Sequence, residues 1–311
     1  VHAGRLTATP ASPGIFLRRT KNSAMTTAIT QLFRYPVKSL QGEAHTALAF
    51  GERGAAGDRA WAVRDEVRGG IRGAKKIPSL MTRSARYTGE VAAEGSSPAL
   101  ITAADGSTRD TDSADINAWL SEQLEHPVTL WPLLPADALE HYRRGAPDSE
   151  DFEQEMRDMF ARTADEPLPD LEIFSEVFEY ESPPGTYFDA FPVLLLTQQS
   201  LASMARHRPQ SEFHVDRFRP NILLDASDSD HPFPESEWLG GRIQIGEVVL
   251  EPVGECPRCA MTTHAFGDLP KDPGIMRALV QANNGNIGVY AKVVQPGIIH
   301  TGDSLTWSPN G

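Results

Sequence analysis

This chain has almost no cysteine: two in 311 residues, both in one tetrapeptide, Cys256-Pro257-Arg258-Cys259. That scarcity excludes a disulfide scaffold and points to a reducing, cytoplasmic setting. It also leaves no set of thiolates for an iron–sulfur centre. No apolar run reaches the roughly 18 residues a membrane-spanning helix requires. With 29 Lys and Arg against 42 Asp and Glu, the net charge of −13 argues against affinity for nucleic acid as a polymer. Neither GxGxxG nor GxxxxGK followed by Ser or Thr occurs, so Rossmann dinucleotide and P-loop nucleotide readings lack their phosphate loop. Internal repeats, heptads and low-complexity tracts are likewise absent.

What is present is an ordinary globular composition, long enough for one large domain or two of moderate size. The charge is unevenly placed. Residues 137–182 hold 15 acidic and 4 basic residues, which leaves the rest of the chain near neutral. That acidic face reads as solvated, with a docking surface for a basic partner as the sharper alternative. Residues 1–24 lack the apolar core of a secretory signal and read as a disordered or upstream tail, with Met25 a candidate start.

Residues 28–64 form short β-rich segments punctuated by Gly51, Gly54 and Gly57, the pattern of a barrel or twisted sheet. Helical spacing predicts Ile116 to Leu124 as a helix capped by Ser113 or Asp115, and Val128 to Leu134 as a strand. In the acidic stretch Phe152, Met156, Met159 and Phe160 fall on one helical face. Further on, Phe191 to Leu196 reads as a buried strand and Gln198 to Arg206 as a helix capped by Thr197. Pro220 to Leu224 is another strand. Gly246 turns a hairpin between Arg242 and Leu250, Pro273 enters the first turn of a helix over 272–281, and residues 287–307 read as a closing meander. The boundaries are then a tail over 1–24, a β-barrel region over 25–135, an acidic insertion over 136–182 and a second domain over 183–309.

The Cys-x-x-Cys pair closes an apolar run that reads as a strand emptying into a loop that continues extended through Ala-Met-Thr-Thr. A zinc site needs two more ligands, of which only His264 is suggested. A thioredoxin-like pair should open a helix after an early strand, and this one does not. A single cysteine ligating a metal otherwise held by a cofactor is the third reading. Lysines and arginines sit at strand mouths in Tyr35-Pro-Val-Lys-Ser-Leu40, Gly57-Asp-Arg-Ala-Trp61 and Arg217-Phe-Arg-Pro-Asn-Ile222. Together they have the makings of an anion clamp, since arginine binds phosphate bidentately.

These motifs, with Cys-Pro-Arg-Cys and Gly-Val-Tyr-Ala near the end, resemble those of MOSC proteins, a group that includes the amidoxime-reducing components and the C-terminal domain of molybdenum cofactor sulfurases. The resemblance covers about residues 28–307. It implies an α+β, β-rich fold: an N-terminal β-barrel-like domain, then a MOSC β-barrel with peripheral helices. It implies a molybdenum cofactor, Mo-molybdopterin, with Cys259 as metal ligand and Cys256 structural or adjacent. Lys38, Ser39, Arg59, Arg219 and Asn221 fall on the family's pterin and phosphate contacts, and Pro257 and Arg258 on the loop beside the metal. Arg258 is expected to favour the Cys259 thiolate. Asp189 matches an acidic position near the cofactor, with a proton-transfer role as conjecture. A family description of pyridoxal phosphate binding accompanies the resemblance. The chain departs from it in the acidic insertion and at Phe191.

The implied activity is reduction of small N-hydroxylated compounds by oxygen-atom removal. A cofactor carrier or sulfur-transfer module, and a zinc-stabilised barrel without activity, are the alternatives. With no cysteines to spare, the electron donor is expected to be separate, a ferredoxin or flavin reductase docking on a basic patch at Arg68, Arg72, Lys75 and Lys76.

Overall fold

The computed structural model describes residues 27–170 and 179–310; the expected N-terminal tail lies outside the described residues. In chain order the first region carries β1 (Thr27–Arg34), β2 (Glu43–His45), β3 (Ala47–Gly51), β4 (Gly54–Ala55), β5 (Trp61–Asp65), β6 (Ser84–Tyr87), β7 (Ala99–Thr102), β8 (Thr108–Asp110), α1 (Ile116–Leu124) and β9 (Val128–Pro132). The acidic stretch supplies α2 (Leu139–Tyr142) and α3 (Phe152–Phe160). The remainder is β10 (Val193–Thr197), α4 (Gln198–His207), β11 (Ile222–Asp225), β12 (Gly241–Ile245), β13 (Val248–Pro257), α5 (Gly274–Asn283), β14 (Asn286–Gln295), β15 (Gly297–His300) and β16 (Ser304–Pro309).

Seven strands in the order β11-β10-β14-β13-β12-β16-β1 close into a barrel through pairing of β1 with β11. Within the barrel, β10 and β11 run parallel, with α4 as the crossover between them. Ile29, Leu32, Leu195, Ile222, Ile243 and Leu250 point into one buried cluster, the inward half of the period-2 alternation seen in β12 and β13. α4 and α5 pack outside through Met204, Ile275 and Leu279. Thr197 caps α4 by accepting from the Ser200 amide, as its sequence position suggests. α1 and α3 run over the residues their apolar periodicity marks; the side chain that caps α3 is Asp151, which accepts from the Glu153 and Gln154 amides.

The first region forms smaller sheets, β5-β9 and β6-β7-β8, around a core of Trp61, Leu80, Met81, Ile101 and Leu120. Met261 and Phe266, from beyond the Cys-x-x-Cys loop, complete that core. The two regions are therefore joined by shared apolar packing, and the loop after β13 lies on the seam.

The structure corrects several local expectations. β1 belongs to the second barrel, because its buried face matches the edges of β11 and β16. The last strands are not a meander: β15 pairs with β3, and β16 pairs with β12 and β1. Pro273 is the residue before α5, where Asp272 accepts from the Gly274 amide. Asp115 precedes α1 without a side-chain cap bond. Residues Ala260–Thr263 form a 3-10 turn instead of continuing extended. The Thr262 and Thr263 hydroxyls donate to the carbonyls of Cys259 and Ala260, a local alternative to a strand ladder.

Candidate cofactor site at the barrel seam

Three chain segments meet where β1, β13 and the run before β11 end. β1 hands over to Tyr35–Leu40. β13 delivers Cys256 and Pro257 at its last positions, and the stretch Phe218–Asn221 leads into β11. The convergence encloses a small polar cavity of about 60 Å³ lined by Lys38, Ser39, Arg59, Arg219 and Asn221, and by the whole Cys256–Cys259 loop. It abuts a larger cleft of about 360 Å³. Asp189, Pro257, Cys259 and Tyr290 line both. All nine residues marked from the sequence thus come together at one place.

Six non-glycine residues among the described ones have positive φ, and three of them are Ser39 (70°), Arg59 (48°) and Arg219 (54°). Each left-handed side chain costs roughly 1 kcal/mol, so their clustering marks backbone held in place for its side chains. Arg59 and Arg219 both lie against the Tyr35 ring, at 5.1 and 4.1 Å from its centroid. Arg59 is ion-paired to Asp58, which also accepts the Tyr35 amide at 2.7 Å. Arg219 donates through Nη1 to the Leu40 carbonyl, while its buried Nη2 has no partner. Burial, reinforced by the neighbouring Arg59 charge, lowers the Arg219 pKa to about 10. The buried Arg219 guanidinium, with an unmet donor, lies beside the partly buried Arg59 guanidinium, and a phosphate matches such a pair.

Lys38 is 4% exposed and its ammonium donates to Asp189 Oδ1 at 2.8 Å, to the Tyr187 carbonyl at 2.8 Å and to Ser182 Oγ at 3.4 Å. Burial lowers its pKa, with Asp189 working against the shift. Asp189 also meets Lys75 at 3.3 Å. Burial opposes its charge, but Lys38 and Lys75 outweigh this and hold the carboxyl well below its ordinary value. Ser39 Oγ accepts the Ala74 amide at 2.9 Å, fixing the chain beside Lys75. Asn221 lines the cavity but its amide bridges the Leu194 N–H and the Phe33 carbonyl, so it serves as a tie between β1 and β10.

The two thiols differ sharply. Cys256 is 1% exposed and accepts from Arg258 Nη1 at 2.8 Å, and burial pushes its pKa up. Cys259 is half-buried, free, and opens on both cavities. The guanidinium expected to favour the Cys259 thiolate is bonded to Cys256 and to the Phe218 carbonyl at 2.6 Å, with Nε left unpartnered, while its charge also acts on Cys259. The direction of the Arg258 side chain, which sequence adjacency does not encode, decides this. Arg217 is scaffold: it donates to the carbonyls of Glu212, Thr262, His264 and Pro270. His264 is bonded to the Ala74 carbonyl, and among the described residues no group of three or more His, Cys, Asp or Glu could hold a metal by itself. The zinc reading therefore lacks its ligand set.

Sequence reasoning did not mark Tyr35 and Tyr290 as site residues. Both lie inside motifs that were read, and only the fold turns their rings into the site. Burial keeps Tyr290 protonated, next to Cys256. The basic patch is also revised. Arg68, Arg72 and Lys76 all reach Asp148, Lys76 reaches Glu155 as well, and Lys75 is taken by Asp189. Asp148 and Glu155 of the acidic stretch thus pair with three of the four cations, so the stretch is only partly a solvated face.

A closed β-barrel meets a second β-rich unit at a seam that carries a half-buried thiol beside two arginines. Residues 26–127 match the MOSC N-terminal beta barrel domain and residues 183–306 match the MOSC domain. The chain belongs to the MOSC-domain proteins. Over 112 residues it is 32% identical to mitochondrial amidoxime reducing component 2 of Bos taurus, covering 36% of this chain and 28% of that protein. The same protein of Homo sapiens matches at 32% over equal shares. Molybdenum cofactor sulfurase of Drosophila grimshawi is 34% identical over 99 residues, 31% of this chain and 12% of that one. The matched part is thus under a third of the length of these relatives. Among solved structures, the YUAD protein from Bacillus subtilis superposes with a TM-score of 0.46 at 13% identity, over 93% of this chain and 99% of that one. No helix among the described residues is long and apolar enough to cross a membrane.

Proposed function

We propose that the seam binds a molybdenum cofactor and that the protein reduces N-hydroxylated compounds such as amidoximes and hydroxylamines. The observation that carries this reading is the placement of a free, half-buried thiol, Cys259, against a clamp whose buried Arg219 Nη2 lacks a partner. Arg59 and Arg219 would hold the phosphate, Lys38 and Ser39 the adjoining polar edge, and Cys259 would be the protein's metal ligand. Pro257 and Arg258 shape the loop that presents this thiol. When bound, the cofactor supplies the two-electron chemistry that removes oxygen from an N–O bond. Two electrons from a separate donor, a ferredoxin or flavin reductase, and two protons release that oxygen as water. Asp189, held ionised by two lysines, anchors Lys38 and Lys75 and is a poor proton donor near neutrality.

The relative named molybdenum cofactor sulfurase supports a second reading, a carrier or sulfur-transfer module without turnover. Metal and pterin analysis of protein made in a host with molybdenum cofactor, followed by turnover of acetamidoxime with an artificial reductant, separates the two. Near-stoichiometric molybdenum with turnover supports the reductase. Molybdenum without turnover favours the carrier, and zinc without pterin overturns both.

A further inference from the structure

The larger cleft has a wall, α3, whose residues do not line the clamp cavity. α3 faces Phe152, Met156, Met159 and Phe160 into it, with Ile71 and Pro147 lining the same space. Phe152 stays 68% exposed, although it opens a helix whose opposite face is acidic. Each cation on the wall already has a carboxylate: Arg72 with Asp148 at 3.1 Å, Lys76 with Glu155, Lys75 with Asp189 at 3.3 Å and Arg144 with Glu181 at 2.6 Å. The wall therefore offers apolar surface and no spare charge. Cys259 and Asp189 line the cleft as well as the cofactor cavity. A volume of about 360 Å³ suits a small molecule.

We infer that α3 is a specificity wall, selecting N-hydroxylated compounds with a neutral alkyl or aryl body that lies on Phe152 and Met159 while the N–O head reaches Cys259. The head-group half rests on the reductase reading above; the apolar half does not. An uncharged body satisfies a wall without free charges, whereas an ionic one would lose hydration without gaining a partner.

The test has two arms on the full chain. In the first, kcat/KM is compared for acetamidoxime and octanamidoxime with cofactor-loaded protein. The wild type is expected to favour octanamidoxime by tenfold or more, and Phe152→Ala or Met159→Gln should cut that preference by about tenfold. In the second, octanamide is titrated into protein labelled at the methionine methyl groups, with or without cofactor, using Met156→Leu and Met159→Leu to assign the signals. The two methyls should shift with octanamide and not with acetamide, and Phe152→Ala should weaken that binding. If no amidoxime is reduced but the methyls shift, the reductase reading fails and the wall stands. Equal kcat/KM for the two amidoximes, or methyls unmoved by octanamide, overturns the wall. Phe152 is largely exposed, so its truncation leaves the folded chain available for both readouts.

Discussion

At the scale of single residues the site separates groups that neighbour one another in sequence. Cys256 and Cys259 are three positions apart, yet one is sealed against Arg258 and the other is free on two cavities. Cys259→Ser should therefore remove molybdenum or lower turnover by at least about 100-fold while leaving the thermal midpoint nearly unchanged. Cys256→Ser should cost about 1 kcal/mol of stability, because the hydroxyl still accepts from Arg258. Metal analysis and a melting curve on each variant check both. Arg219→Ala removes a guanidinium that already lacks one partner, so its effect belongs on cofactor retention. Pterin content after gel filtration should fall about tenfold, which corresponds to about 1.4 kcal/mol of binding. Unchanged pterin content would remove Arg219 from the phosphate clamp.

Elements carry a different kind of information. β10, α4 and the turn at Pro234–Trp238 meet at Glu235, which is 1% exposed and accepts from Thr197 Oγ1 and Ser200 Oγ at 2.6 Å each. Burial raises its pKa. A carboxyl whose folded pKa lies above its unfolded one contributes stability fully present below the unfolded value, about 4.3, and lost as pH rises through the folded value. Glu235→Gln removes that ionisation and can retain the Gly288 amide bond through its oxygen. The difference in melting temperature between Gln variant and wild type should grow in favour of the variant from pH 4 to pH 8. A constant difference would show that Glu235 does not titrate in this range. Asp189 has the opposite sign: its depressed pKa contributes stability above about 3.9 that disappears in stronger acid.

For the whole molecule, the acidic stretch clamps intramolecularly. Asp148 gathers Arg68, Arg72 and Lys76, Glu166 pairs with Arg277 on α5, and the backbone around Gly145 lies so close to the Gly69 carbonyl that an added Cβ would sit at 1.8 Å. Gly145→Ala should thus displace the α3 wall and cost about 2 kcal/mol or more. Asp148→Asn should cost under about 1 kcal/mol, since its side chain is 42% exposed and solvent screens the pairs. Limited proteolysis within residues 143–170 should still accelerate, and more at low than at high salt, where the pairs in the wild type are already weakened.

The β-rich class, the helices over 116–124 and 152–160, and the set of residues that gather at the seam are legible in the linear chain. Hydrophobic periodicity and short chemical motifs are local, and they survive any folding detail. The three-dimensional fold settles that β1 closes the second barrel, that β15 pairs with β3, and that the last strands form no meander, because strand partners are chosen by matching buried faces across the whole chain. It also decided that Arg258 faces Cys256, that Asn221 is a tie between strands, and that the basic patch is paired with Asp148, Glu155 and Asp189. Side-chain direction and charge pairing depend on distances through space, and residues 72 to 114 positions apart in the chain carry no trace of them.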